Sequence, residues 1–125
     1  MKKLLLLTML LFATMTFAQD TFIVKYTSCI TKENFVLQPE KFMNVTVVFN
    51  EKNTNDVVLY YDNGAVIRYN TFGGIEKVTT KSGFTTQLLK ALDSSDGNEV
   101  LLQIFEESGT FRIIIAEGWY IEFYK

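Results

Sequence analysis

From Thr21 onward the chain alternates between apolar and polar positions. Phe22, Val24, Tyr26 and Ile30 are set against Thr21, Lys25 and Thr27, and Met43, Val45, Val47 and Phe49 against Asn44, Thr46 and Asn50. A period of two belongs to strands with one buried and one solvated face. Val57 to Tyr61 and Ala65 to Phe72 flank Asp62-Asn63-Gly64, where Asn and Gly accept positive φ cheaply, so the two runs form a hairpin. Gly73-Gly74 ends the second run, and Ile75 to Lys81 forms another, closed by Ser82-Gly83. Phe84 to Asp93 fits helical and strand spacing alike. Strands on both sides and the lack of a strong helix stop favour a strand there. Glu99 to Glu106, Thr110 to Ala116 and Trp119 to Tyr124 follow as a meander, with turns at Glu107-Ser108-Gly109 and Glu117-Gly118.

Short strands at close spacing predict an all-β fold, a single small antiparallel β-barrel or β-sandwich of about eight strands. The exception is the stretch 31–42. It holds the only proline, Pro39, which predicts one short helical turn within a capping loop. Phe35, Val36, Leu37 and Phe42 are expected to tuck that loop against the core. Long loops in compact domains often carry function, which makes Phe35 and Phe42 candidate contact residues.

Ahead of the strands, Lys2 and Lys3 precede the apolar runs Leu4 to Leu7 and Met9 to Phe12, and Ala18 stands before Gln19-Asp20. This is the pattern of a secretory signal peptide at residues 1–18, leaving one domain at 19–125. The expected location is periplasmic or extracellular. Cleavage removes 18 of 125 residues and leaves 107, with no apolar stretch long enough for a membrane helix. It also removes two of the 12 basic residues and none of the 14 acidic ones, giving a net charge of −4. Nucleic acid, which needs a basic patch, is therefore not an expected partner.

Histidine is absent and Cys29 is the only cysteine. The usual general base, the Ser-His-Asp and Cys-His arrangements and the familiar zinc and copper sites are all excluded. The turn Asp93 to Glu99 lacks the ligand order of an EF-hand, since Leu92 and Ser94 occupy its first and third positions. No metal or cofactor is expected. Cys29, a lone thiol, reads as a small buried residue.

The remaining candidates are aromatic or cationic. Arg112 lies within Phe111-Arg112-Ile113-Ile114-Ile115, where parity sets it on the face opposite Phe111, Ile113 and Ile115. An outer position is expected; in a buried one its natural partners would be Glu106, Glu122 or the face of Trp119. Trp119, Ile121 and Phe123 share one face of the last strand, and Tyr120 and Tyr124 flank Glu122 on the other. A strand aromatic on both faces is buried twice over or offers a patch to a partner, and Tyr60 adds to the aromatic supply. In residue types, Gly118-Trp119 with Arg112 resembles the Gly-x-Trp and late arginine of the calycin barrels. Its order and spacing depart from theirs, and Trp119 is read as a core residue. The expected function is a non-catalytic binding module for an apolar or aromatic small molecule or a protein partner. The alternative is a structural or inhibitory interaction domain that uses an exposed aromatic sheet face and has no ligand cavity.

Overall fold

The computed structural model describes residues 21–51 and 56–125, so the export signal read at residues 1–18 lies outside the described residues. The strands are β1 (Phe22–Glu33), β2 (Val36–Leu37), β3 (Lys41–Phe49), β4 (Asp56–Tyr61), β5 (Val66–Thr79), β6 (Thr85–Asp93), β7 (Glu99–Phe105), β8 (Phe111–Ala116) and β9 (Trp119–Tyr124). From β3 onward each strand pairs with the next, and β3 also pairs with β1. The sheet then closes, because Ser28 to Lys32 of β1 pair antiparallel with Tyr124 to Tyr120 of β9. The result is an eight-stranded up-and-down antiparallel barrel, with β2 outside the closure as an extra strand on β1. A row of partners starting at Phe22 runs through Phe49, Val57 and Tyr69 to Asp93, the last residue of β6. That stagger is what tilted strands need in order to close.

Side chains fill the interior. Phe111 and Phe123 are fully buried and stack with centroids 6.2 Å apart, and the ring of Tyr26 stacks on Phe111 at 6.4 Å. Phe49 and Tyr61 meet this pair edge-on at 6.0 and 6.2 Å. Val45, Val47, Leu59, Leu102 and Ile113 complete the core around them. Each fully buried side chain of this size contributes roughly 1.5–3 kcal/mol. The Tyr26 hydroxyl donates to the carbonyl of Gly109 at 2.6 Å, so a polar atom inside the barrel is satisfied by the β7–β8 turn.

Five sequence expectations change. Residues 31–42 form no helical turn. β1 runs on to Glu33, Asn34 and Phe35 make a two-residue turn at φ 52° and 68°, and β2 returns along β1. The N–H of Gln38 donates to Thr31, which keeps the chain extended into the residue before Pro39, where α geometry is disfavoured. Nor does the segment tuck inward: Phe35, Val36, Leu37 and Phe42 are all exposed. Gly73-Gly74 does not end a strand but bulges β5, so that three residues, 73–75, stand opposite Leu89 alone. The register with β3 also shifts at Thr27, which stands opposite both Met43 and Asn44, and parity along β1 reverses there. Cys29 lies in the core, as expected of a small buried residue, but Ile30, which alternation set on the inner face, leaves it. Trp119 lies at the barrel rim, 41% exposed, rather than in the core, because its partner Ala116 sits past a register break in β8. Residues 84–93, ambiguous in sequence, are strand.

Phe35 is an unusual occupant of a left-handed position, since β-hairpin turns of this kind favour Gly there. Its N–H donates to Gly118 at 3.0 Å, and its ring lies against the Cα of Gly118, where an added Cβ would meet ring carbons at 2.8 Å. Gly118 itself has φ 79°. Gly118→Ala is therefore expected to cost about 1–3 kcal/mol through backbone strain and collision. Phe35→Gly added to it recovers part of the loss by removing the colliding ring. Urea unfolding of both variants checks this coupling.

Burial pushes the phenol of Tyr61 up to about 12 and raises those of Tyr26 and Tyr69 further. The folded state holds these phenols neutral. The stability they contribute is therefore complete below about pH 10, the unfolded value, and is lost as pH climbs through the folded values. Absorbance at 295 nm near pH 11 should report clearly fewer phenolates than the six tyrosines give after denaturation.

Candidate functional site

With rings filling the centre, the candidate residues divide among three outer places. The first is the wall formed by β1, β9 and β8. Arg112 of β8 pairs across the sheet with Glu122 of β9, and its Nε and Nη2 both donate to Glu122 Oε1, at 3.1 and 2.7 Å. The guanidinium lies 4.2 Å from the ring centroid of Tyr120 and 5.1 Å from that of Phe105. Lys32 of β1 also stands over Tyr120, at 5.8 Å. Among the described residues Arg112 Nη1 and Glu122 Oε2 meet no further protein partner, so the pair keeps a donor and an acceptor for another molecule.

Strand register extends this wall. Phe42 pairs with Ser28 and Ser28 with Tyr124, so Phe42 and Tyr124 share an outer row. Leu37 pairs with Lys32, Lys32 with Tyr120, Tyr120 with Ile114 and Ile114 with Leu101 along another. Ile30 lies between the two rows, beside Glu122. Phe42 is 86% exposed, an uncommon position for a phenylalanine. Burial and then the neighbouring Glu40 raise the phenol of Tyr124. Two open depressions, of about 280 and 360 Å³, continue the wall and share Leu101 as a common side. One lies between the splayed ends of β7 and β8, and the other lies over the Gly73-Gly74 bulge.

The second place is the rim, where Phe35 covers Gly118 next to Trp119. The third is the wall formed by β4 and β5, with Tyr60. There Arg68 donates to Asp56 at 2.7 Å and to Glu51 at 3.2 Å, and the Tyr60 hydroxyl makes a short bond to Glu51. That bond raises the Tyr60 phenol. The N–H of Glu51 donates to Asp56 at 2.7 Å. The Asp56 side chain is fully buried, so this cluster is a structural lock on the β3–β4 end.

Of the residues picked from sequence, the structure therefore unites Arg112, Tyr120, Tyr124 and Phe42. It sets Phe35 and Trp119 at the adjoining rim and isolates Tyr60. Arg112 stands on the outer face that parity predicts, and of the three partners named for a buried position it takes Glu122, with Tyr120 in place of Trp119 as its ring. Sequence reading passed over Lys32, Leu37, Ile30 and Leu101. Strand parity across the wall would have found them, but the register shift at Thr27 reverses it within β1. At the turn Asp93–Asn98 the carboxylates of Asp93 and Asp96 accept from Ser95 and Asn98, and no cluster of three metal-ligating side chains occurs among the described residues. No protein-family model, curated protein or solved structure matches this chain.

The two arginine clusters differ in burial, and that difference is measurable. Arg112 and Glu122 side chains are 25% and 24% exposed, so Arg112→Ala should change stability by no more than about 1 kcal/mol. Asp56→Ala, which leaves Arg68 and a backbone N–H without their buried acceptor, should cost about 3–5 kcal/mol. Denaturant titration of both variants tests the contrast.

Proposed function

We propose that this chain is an exported, non-catalytic protein-binding barrel that holds its partner on the outer wall of β1, β9 and β8. One observation carries the reading. The interior where a barrel carrier would hold a small ligand is occupied by Tyr26, Phe111 and Phe123, while Phe42, Tyr120, Tyr124 and Arg112 face outward together. Tyr, Phe and Arg are the residue types that dominate binding energy at protein interfaces, and the stacked, ion-paired Arg112 is held ready with little rotamer freedom left to lose.

Two further features favour this reading over its rivals. A bilayer-spanning barrel is apolar outside and polar within. Here the core is apolar, and the outer faces carry Lys25, Arg68, Glu76, Lys90 and Arg112. Carboxylate catalysis needs a free acid and base in a cleft. Glu51 and Asp56, two carboxylates brought close together, are both held by Arg68.

Photo-crosslinking in the exporting cell tests the proposal. With a benzoylphenylalanine in place of Phe42, Tyr120 or Tyr60, positions 42 and 120 should yield a protein adduct and position 60 should not. Silence at 42 and 120, together with an apolar small molecule that copurifies and is released on denaturation, would replace the reading with a carrier.

A further inference from the structure

We propose that the partner seated on this wall is a second copy of the chain, docked about a two-fold axis beside β2. The proposal rests on the reading of the wall as a protein-binding surface and adds the identity of what binds there.

The backbone supplies the first argument. β2 pairs with β1 along one side, and among the described residues no strand lies against its other edge. An open edge invites a like edge, and a two-fold axis lets two copies satisfy each other antiparallel. Val36 and Leu37 on that edge are 58% and 59% exposed, without the lysine or proline that blunts most free edges at the strand itself.

Charge supplies the second. The apolar stretch Phe35-Val36-Leu37 is bracketed by Lys32-Glu33 on one side and Glu40-Lys41 on the other. Two cations and two anions surround one patch. An isologous contact requires a surface complementary to itself, and this arrangement lets a two-fold axis bring the lysines of one copy to the glutamates of the other. A strongly acidic or basic partner meets no matching field here.

Area supplies the third. Phe42, Phe35, Val36 and Leu37 are 86%, 61%, 58% and 59% exposed, and with whole aromatic side chains at about 150–250 Å² they present a few hundred square ångströms of apolar surface. Together with the half-buried Tyr120 and Tyr124 and the flanking lysine stems, that forms the apolar centre of an interface of the standard ~800 Å² per partner.

Sedimentation of the processed chain over a concentration series provides the test, with Phe42→Asp and Leu37→Asp as variants. Both positions are exposed, so the variants should keep the circular dichroism of the parent while their dimers weaken by about tenfold or more. A charge exchange adds a check that folding defects cannot mimic. Lys32→Glu/Lys41→Glu and Glu33→Lys/Glu40→Lys should each dimerise poorly alone, and an equimolar mixture should restore association. A dimer indifferent to all these changes overturns the proposal. So does a monomer at every concentration whose positions 42 and 120 crosslink to a different protein, an outcome that leaves the binding reading intact. A monomer without any crosslink from those positions removes both.

Discussion

The space inside an eight-stranded barrel is the constraint on which the rest of this structure depends. A closed sheet of this strand number leaves an interior just wide enough to be filled by side chains or to hold one small ligand, and not both. Here the aromatic stack of Tyr26, Phe111 and Phe123 takes the space, with Phe49 and Tyr61 against its edges. A domain of this size without a disulfide has to rely on such packing for its stability, since Cys29 is buried and unpaired. Stability and cavity compete for one volume, and in this chain stability takes it. The binding role proposed for the barrel therefore falls to its outside.

That outside is set by an irregularity in the strands. In a regular strand Ile30 would share the inner face of Tyr26, and a shift of one residue exchanges the two faces of everything that follows. The register irregularity between Tyr26 and Ser28, where Thr27 faces both Met43 and Asn44, makes that shift in the middle of β1. It sends Cys29 inward and sets Ile30 and Lys32 on the wall beside Glu122 and Tyr120. The irregularity also falls where β1 begins to pair with β9. Closure of the barrel and composition of the wall thus share one local cause.

The same features explain what the sequence made legible. Alternation was sufficient wherever a strand was regular, as in Val45 to Phe49, Val57 to Tyr61, Phe111 to Ile114 and Tyr120 to Phe123. Arg112 and Tyr120 could be assigned to the outer face for that reason. Where alternation was interrupted, the reading failed for physical reasons that single residues hide. Gly73-Gly74 looks like a stop, yet glycine serves equally well as a bulge within one strand. Pro39 looks like a helix start, yet the hydrogen bond from Gln38 to Thr31 had already committed the chain to a hairpin. Trp119 has the parity of a core residue, and only the register break at β8 leaves it on the rim. Barrel closure itself depends on pairing between the first and last strands, a contact that no local pattern encodes.

The two arginines show how burial assigns different roles to the same residue type. Arg68 joins two carboxylates, one of them fully buried, and removing either side would leave a charge stranded in a poor solvent. A group so placed is committed to the fold and has little left to offer a partner. Arg112 holds one half-buried carboxylate through a single oxygen, rests on two rings, and among the described residues meets no partner at Nη1. Its loss would cost the fold little, so stability alone does not account for its arrangement. Aromatic rings at 4.2 and 5.1 Å fix the guanidinium plane before any contact is made. The entropy that a mobile side chain loses on binding has then been lost on folding, where the barrel core supplies the free energy to offset it.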